Sequence, residues 1–341
     1  MRAVTVVIAS CLLLSACSEP SRKTERALTR PDFNRVTGLL DSERQINAVI
    51  VSQRDSIVYE YYLSDTDKNR IYNYNSVAKS VTSIIAGIAI DKGYIPDEEV
   101  FVSDYFPAIE SARDPKRNIR LRHLLSMTSG LSWPESTDWN HFFRPMVESD
   151  NWINFILSRD MIEEPGSVFN YNSGNHHLVS KIIQDTTRQN MLDFGKAQLF
   201  SKLGIASVSW YDDPQGICFG GAWIRMSAKD ALKIGQLILD EGTYRNESLV
   251  SPEWVTEMST PHSEGYRWDE YVGGEYGYGW WINTYRGQKT IYAWGANEQY
   301  IFVTPSLSLV AVFNSAFQNQ KATRPPYIYS EIILKELLER D

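Results

Sequence analysis

The sequence predicts an α/β (α+β) fold: an antiparallel sheet built from strands at both ends of the chain and flanked by helices, with a mostly helical subdomain inserted between them. Three observations lead there. β-rich runs occupy residues 48–62, further β-rich runs occupy residues 276–314, and helical periodicity fills the long stretch between. The 341 residues are 43% apolar and 22% charged, as in folded globular chains and unlike disordered, collagenous or coiled-coil ones.

Met1-Arg2, the apolar run Ala3–Leu14 and the small residues before Cys17 resemble a bacterial lipoprotein leader, with residues 1–16 as signal peptide and Cys17 as the lipidated mature N-terminus. The apolar run is too short for an ordinary spanning helix of about 20 residues. In lipoproteins of this kind, Ser18 rather than Asp after the cysteine implies the outer rather than the inner membrane. The expected location is therefore the bacterial cell envelope, periplasm-facing and lipid-anchored. With Cys11 removed and Cys17 acylated, Cys218 stands alone and no intrachain disulfide is expected. Beside Gly216, Phe219 and Gly220 it reads as a small packed residue.

Residues 17–45 read as a polar tether running into a short helix, and residues 46–341 as the folded domain. Within it, AVIVSQRDSIVYEYY, Ala48–Tyr62, reads as a hairpin turning at Gln53-Arg54-Asp55-Ser56. Val77, Val81, Ile84, Ile85 and Ile88 fall at helical spacing between Ser76 and Lys92, and Gly93 closes the helix. Four strands follow the helical middle: Tyr276–Trp281, Thr290–Trp294, Gln299–Thr304 and Leu309–Asn314. An amphipathic helix, Pro326–Arg340, begins with proline. The sheet subdomain thus takes about 46–70 and 258–341, the helical one about 71–257.

Lys+Arg 34 against Asp+Glu 42 gives a net charge of −8. No basic run is present, so nucleic acid is not an expected partner, nor is a membrane held through a polybasic face. Protein partners are not indicated either way.

Chemistry begins at Ser76-Val77-Ala78-Lys79, the one S-x-x-K in the chain. Residues i and i+3 share a helix face, so the Lys79 amine lies beside the Ser76 hydroxyl. A serine is a poor nucleophile until a base removes its proton, which a lysine can do if burial lowers its pKa. At a helix start, Ser76 also carries a free backbone N–H for an oxyanion. Tyr171, in the polar loop Phe169–Gly174, could relay a proton, its pKa lowered by a nearby ammonium. Ala293-Trp294-Gly295, followed by Ala296, could offer a second N–H at a strand edge, with Gly295 permitting close approach.

These three elements, in this order, resemble the serine β-lactamase and penicillin-binding-protein superfamily, in its class C-like branch of esterases and 6-aminohexanoate-dimer hydrolases. The resemblance extends to Leu121–Leu131, Gly220–Asp230, Tyr276–Trp281 and Gln299–Pro305. It implies a β-lactamase/D,D-peptidase-like fold. It further implies Ser76 as nucleophile, Lys79 as general base, Tyr171 as proton shuttle, the N–H groups of Ser76 and Ala296 as oxyanion hole, and acyl transfer without metal or organic cofactor. Ser173, Trp294 and Gly295 are the implied substrate-binding positions.

Two departures bear on substrate. Tyr171-Asn172-Ser173 stands where the family often has Tyr-x-Asn, which replaces an amide contact by a hydroxyl; Tyr-x-Ser is familiar in the 6-aminohexanoate-dimer hydrolase-like subgroup. Ala293-Trp294-Gly295 stands where β-lactamases carry Lys-Thr-Gly, so the cation that pairs with a β-lactam carboxylate is missing there. A small amide or ester with an uncharged acyl group is the expected substrate, unless Arg225 or another basic side chain supplies the charge. β-Lactamase or D,D-peptidase action and a non-catalytic envelope-binding lipoprotein are the alternatives.

Other chemistries lack support. There is no G-x-S-x-G elbow. His176 and His177 point about 100° apart on a helix with no H-E-x-x-H or Cys/His cluster, which suggests solvated or hydrogen-bonded roles, not zinc. His123, His141 and His262 have no carboxylate spacing that marks a triad. Trp133, Trp139 and Trp223 are further candidates for the cleft wall.

Overall fold

The computed structural model describes residues 31–109, 113–135, 137–315 and 324–339. The leader, Cys17 and the first part of the tether lie outside them. Helix α1 (Asn34–Glu43) leads into β1 (Ile46–Gln53) and β2 (Ser56–Tyr62), then β3 (Ile71–Asn73) and α2 (Val77–Asp91). The helical middle holds α3 (Leu121–Leu125), α4 (Phe143–Glu148), α5 (Trp152–Leu157), α6 (Ser173–Thr187) and α7 (Met191–Gly195). After them come β4 (Arg225–Ser227), α8 (Ala228–Leu239), the short pair β5 (Thr243–Tyr244) and β6 (Glu247–Ser248), and α9 (Pro252–Met258). The chain closes with β7 (Glu275–Tyr276), β8 (Trp281–Tyr285), β9 (Gln288–Gly295), β10 (Gln299–Thr304) and β11 (Leu309–Ser315). A last helical run starts as α10 (Pro325–Tyr327), turns π-helical over Ile328–Leu334 and ends at Lys335–Leu338.

Seven strands form one antiparallel sheet in the order β2-β1-β11-β10-β9-β8-β7. The N-terminal hairpin turns at Arg54 and Asp55, both at positive φ (49° and 60°), the two-residue geometry whose twist matches the flanking strands. Its inner strand pairs with the last strand of the chain, Val49 opposite Phe313 and Val51 opposite Ala311. Alternate residues serve different cores. Ala48, Ile50, Ile301, Val303, Val310 and Val312 pack toward the helical side, whereas Val49, Val51, Phe302, Ala311 and Phe313 pack under α1 and the last helix. A strand buried on both faces reads as a continuous apolar run, not as an alternation. Each fully buried large side chain here stabilises the fold by about 2 kcal/mol.

Every residue of α2 from Val77 to Ala89 is buried; its polar side chains Lys79, Ser80 and Thr82 meet this by donating to the carbonyls of Gly221, Gly279 and Gly220. The strand expected at Tyr276–Trp281 is instead the ends of two strands. Gly277 to Trp280 form a turn, closed by Gly277 N–H donating to Trp280 O (2.9 Å). Tyr278 packs against Trp254 of α9, and Ser80 of α2 donates its hydroxyl to Gly279 O at 2.6 Å. On the face that α1 and the last helix cover, the Asp32 N–H donates to Glu336 Oε1 at 3.0 Å, which ties the beginning of the described chain to its last helix.

Candidate active site

Asn75 adopts φ 47°, a left-handed conformation that asparagine tolerates, and this turns the chain from β3 into α2 with Ser76 at the N-cap. One helical turn on, Lys79 is 1% exposed. Its Nζ donates to Ser76 Oγ at 2.9 Å and to the Gly221 carbonyl at 2.7 Å. Burial lowers the amine's pKa to about 8, partly offset by the charge of Glu135. Gly221 must be glycine for this bond to form: a Cβ there would lie 2.3 Å from the Ser173 carbonyl, because the segment is wedged between α2 and α6.

Tyr171 reaches the same point from the loop before α6, its ring centroid 4.7 Å from Lys79 Nζ. The loop is held by the segment after α3. Asn170 N–H donates to Met127 O (2.8 Å), Asn170 Nδ2 donates to Leu131 O (3.0 Å), and Asn172 N–H donates to Met127 Sδ (3.3 Å). Asn172 then caps α6 by accepting from Asn175 N–H. The Leu121–Leu131 segment is thus a bracket for the tyrosine. One expectation is corrected here: the Tyr171 pKa is raised, not lowered. Burial is the main cause and the Glu135 charge adds to it, while a side-chain hydrogen bond with Ser76 pulls the other way. The ring is therefore a neutral phenol.

Gly295 sits where β9 touches the backbone leading into α2, and a Cβ there would lie 2.1 Å from Tyr74 O and 3.1 Å from Ser76 N. Asn75 Nδ2 donates to Ala296 O at 2.8 Å, which fixes the β9–β10 corner beside Ser76. Among the described residues, neither the Ser76 N–H nor the Ala296 N–H has a hydrogen-bond acceptor. Trp294 is half-buried, edge-on to Trp268 at 4.9 Å and stacked on Tyr300.

Ser173 is not a substrate contact. It is fully buried, and both its N–H (2.8 Å) and its hydroxyl (2.7 Å) donate to the Glu135 carboxylate. Trp133, also buried, donates its Nε1–H to the same carboxylate at 2.8 Å. Glu135 is the residue that sequence reasoning missed: one acid in a polar loop, joined to the site only through space. His176 and His177 are buried rather than solvated. His177 Nε2 is 2.9 Å from Asp213 Oδ2; His176, kept neutral by burial and by Lys79, has no partner for either ring nitrogen among the described residues. Cys218 is buried with its thiol pKa pushed well up, which makes it unreactive.

The site therefore joins a hydroxyl, an amine of lowered basicity and a neutral phenol, beside two unengaged backbone N–H groups. That combination holds the groups that serine-hydrolase chemistry requires. The sequence model of the family described as Beta-lactamase matches residues 36–328, and the chain belongs to that family. It is 22% identical over 320 residues to the 6-aminohexanoate-dimer hydrolase of Paenarthrobacter ureafaciens, covering 87% of this chain and 81% of that protein. Solved structures share the fold. The octameric penicillin-binding protein homologue from Pyrococcus abyssi aligns with a TM-score of 0.70 at 21% identity, over 89% of this chain and 76% of that one. A D-stereospecific amidohydrolase from Streptomyces aligns with a TM-score of 0.65 at 15% identity, over 84% and 94%. The protein is a serine hydrolase of the β-lactamase and penicillin-binding-protein superfamily.

Proposed function

We propose that the protein is a lipid-anchored envelope enzyme that hydrolyses a small amide or ester through an acyl-enzyme on Ser76. The observation that carries this is the 2.9 Å contact between Lys79 Nζ and Ser76 Oγ, made by an amine whose pKa burial has brought to about 8. Neutral Lys79 takes the hydroxyl proton as Ser76 Oγ attacks the carbonyl carbon. The N–H groups of Ser76 and Ala296 receive the oxyanion. Tyr171 passes a proton to the leaving group and regains one from Lys79, so the phenol never has to persist as a phenolate. Water then attacks the acyl-enzyme by the same proton path in reverse.

Ala293 stands where β-lactamases carry a cation, and the Trp294 indole borders the oxyanion site beside Gly295, which argues against β-lactams as efficient substrates. The named activities of the relatives, a 6-aminohexanoate-dimer hydrolase and a D-stereospecific amidohydrolase, favour a linear amide. Labelling with a fluorophosphonate probe tests the reading: the wild type is expected to label and to hydrolyse p-nitrophenyl esters, and Ser76→Ala to do neither. A wild type inert in both assays overturns it in favour of a binding lipoprotein. Anchoring through Cys17 is tested separately by membrane fractionation, where Cys17→Ser is expected to move the protein to the soluble fraction.

A further inference from the structure

The ribbon of β3 and β4 carries a second constellation near Ser76. Asn73 and Arg225 are cross-strand partners, so their Cα atoms are about 5 Å apart, and both are exposed. Asn73 precedes Ser76 by three residues, which limits the distance between their Cα atoms to about 11 Å. Between this pair and the rings of Trp210, Tyr211 and Trp223 opens a cavity of about 330 Å³.

The polar inventory of that cavity is one-sided. The Arg225 guanidinium has no hydrogen-bond or ion-pair partner among the described residues, and it is the one charged group among the residues that line the cavity. Asn73 uses its Oδ1 to accept from Asn75 N–H (3.1 Å), which leaves its amide NH2 free to donate. No Asp or Glu is among the lining residues. The walls are apolar: Tyr211, 55% exposed, and Trp223 meet edge to face at 5.2 Å. Trp223 has φ 66°, a conformation rare for a bulky residue and typical of ligand clamps when it occurs. The segment that carries Arg225 also supplies the Gly221 carbonyl that holds Lys79.

Unpaired donors, a fixed positive charge and aromatic walls fit a carboxylate carried on a hydrocarbon arm. We propose that Arg225 and Asn73 form a carboxylate subsite, so that the preferred substrate is an amide or ester whose acyl chain ends in a carboxylate several bonds from the scissile carbonyl. The acyl chain is assigned to this flank because Tyr171, which serves the leaving group, stacks on Trp281 of β8 and not on the β3–β4 ribbon. This rests on the hydrolase reading above.

The test compares kcat/KM for mono-p-nitrophenyl esters of glutaric, adipic and suberic acid with the matching esters in which the free carboxylate is a carboxamide. Wild type is expected to prefer the acid by about tenfold or more at one chain length, with the preference shrinking as salt is raised. Arg225→Gln brings the ratio close to one, and Arg225→Lys keeps part of it. Equal turnover of acid and carboxamide by wild type at every length, or an unchanged ratio in Arg225→Gln, overturns the subsite. Failure of the wild type to hydrolyse any of the esters or to take up the fluorophosphonate strikes instead at the hydrolase reading on which it rests.

Discussion

Lys79 sets the behaviour of the site at the scale of single residues. With its pKa at about 8, roughly a tenth of the amine is neutral at pH 7. kcat/KM is therefore expected to rise about tenfold between pH 7 and a plateau above pH 9, which a pH-rate profile reads directly. Folding stability follows the same titration. The folded-state pKa lies below the unfolded value of 10.5, so the penalty of a buried ammonium, about 3 kcal/mol, is fully present below pH 8 and is relieved as the pH climbs toward 10.5. The charged or titratable groups facing this amine are Glu135, Tyr171 and His176. Glu135→Gln removes the charge that props the amine's pKa up, so the alkaline rise is expected to move to lower pH, together with a loss of stability from a weakened hold on Ser173 and Trp133; profiles that superimpose with wild type would refute the coupling. Lys79→Ala and Tyr171→Phe are each expected to cost about two decades or more of rate, measured on a p-nitrophenyl ester. Ser76 and Lys79 were legible in sequence because helix geometry alone dictates their contact. Glu135 was not, since a contact between two loops leaves no spacing behind, and Ser173 was misassigned because sequence shows a hydroxyl without showing which acid has claimed it.

At the scale of elements, the site is a joint between backbones. β9 lies against the entry to α2 at Gly295, and the segment before β4 lies against α6 at Gly221; each contact leaves no room for a methyl group. Gly295→Ala and Gly221→Ala are expected to lower activity by about two decades or more and to lower Tm, since the obstacle in each case is a carbonyl and not a flexible side chain. A Gly→Ala change at Gly38, where a Cβ meets nothing, is the control for a backbone shift unrelated to the site. The strands β9, β10 and β11 were readable because burial on both faces makes them unbroken apolar runs. The same cue misled at Tyr276–Trp281, where aromatic burial in a turn imitates a strand, and periodicity gave no sign of the π-helical stretch Ile328–Leu334.

At the scale of the whole molecule, β1, already paired with β2, finds its second neighbour only when the last strand has been made. The two-ended sheet could be inferred from sequence because β-rich runs lie at both ends of the chain with helical periodicity between them, and a two-stranded hairpin alone is marginal without further strands beside it. Removing residues 309–341 is expected to leave Ser76, Lys79 and Tyr171 in the chain but no soluble, probe-reactive protein, because β1 and β10 both lose their shared neighbour. Tyr329 ties the last helix to the sheet through Thr304, whose hydroxyl also contacts Thr290 (2.6 Å each); Tyr329→Phe is expected to cost about 1 kcal/mol in urea unfolding.

The contact of Asp32 with Glu336 means that the folded part of the chain, from Asp32 to Glu336, all but closes into a ring. A ring has no privileged starting point, so joining these ends by a short flexible peptide and reopening the chain between Arg54 and Asp55 should yield a working circular permutant.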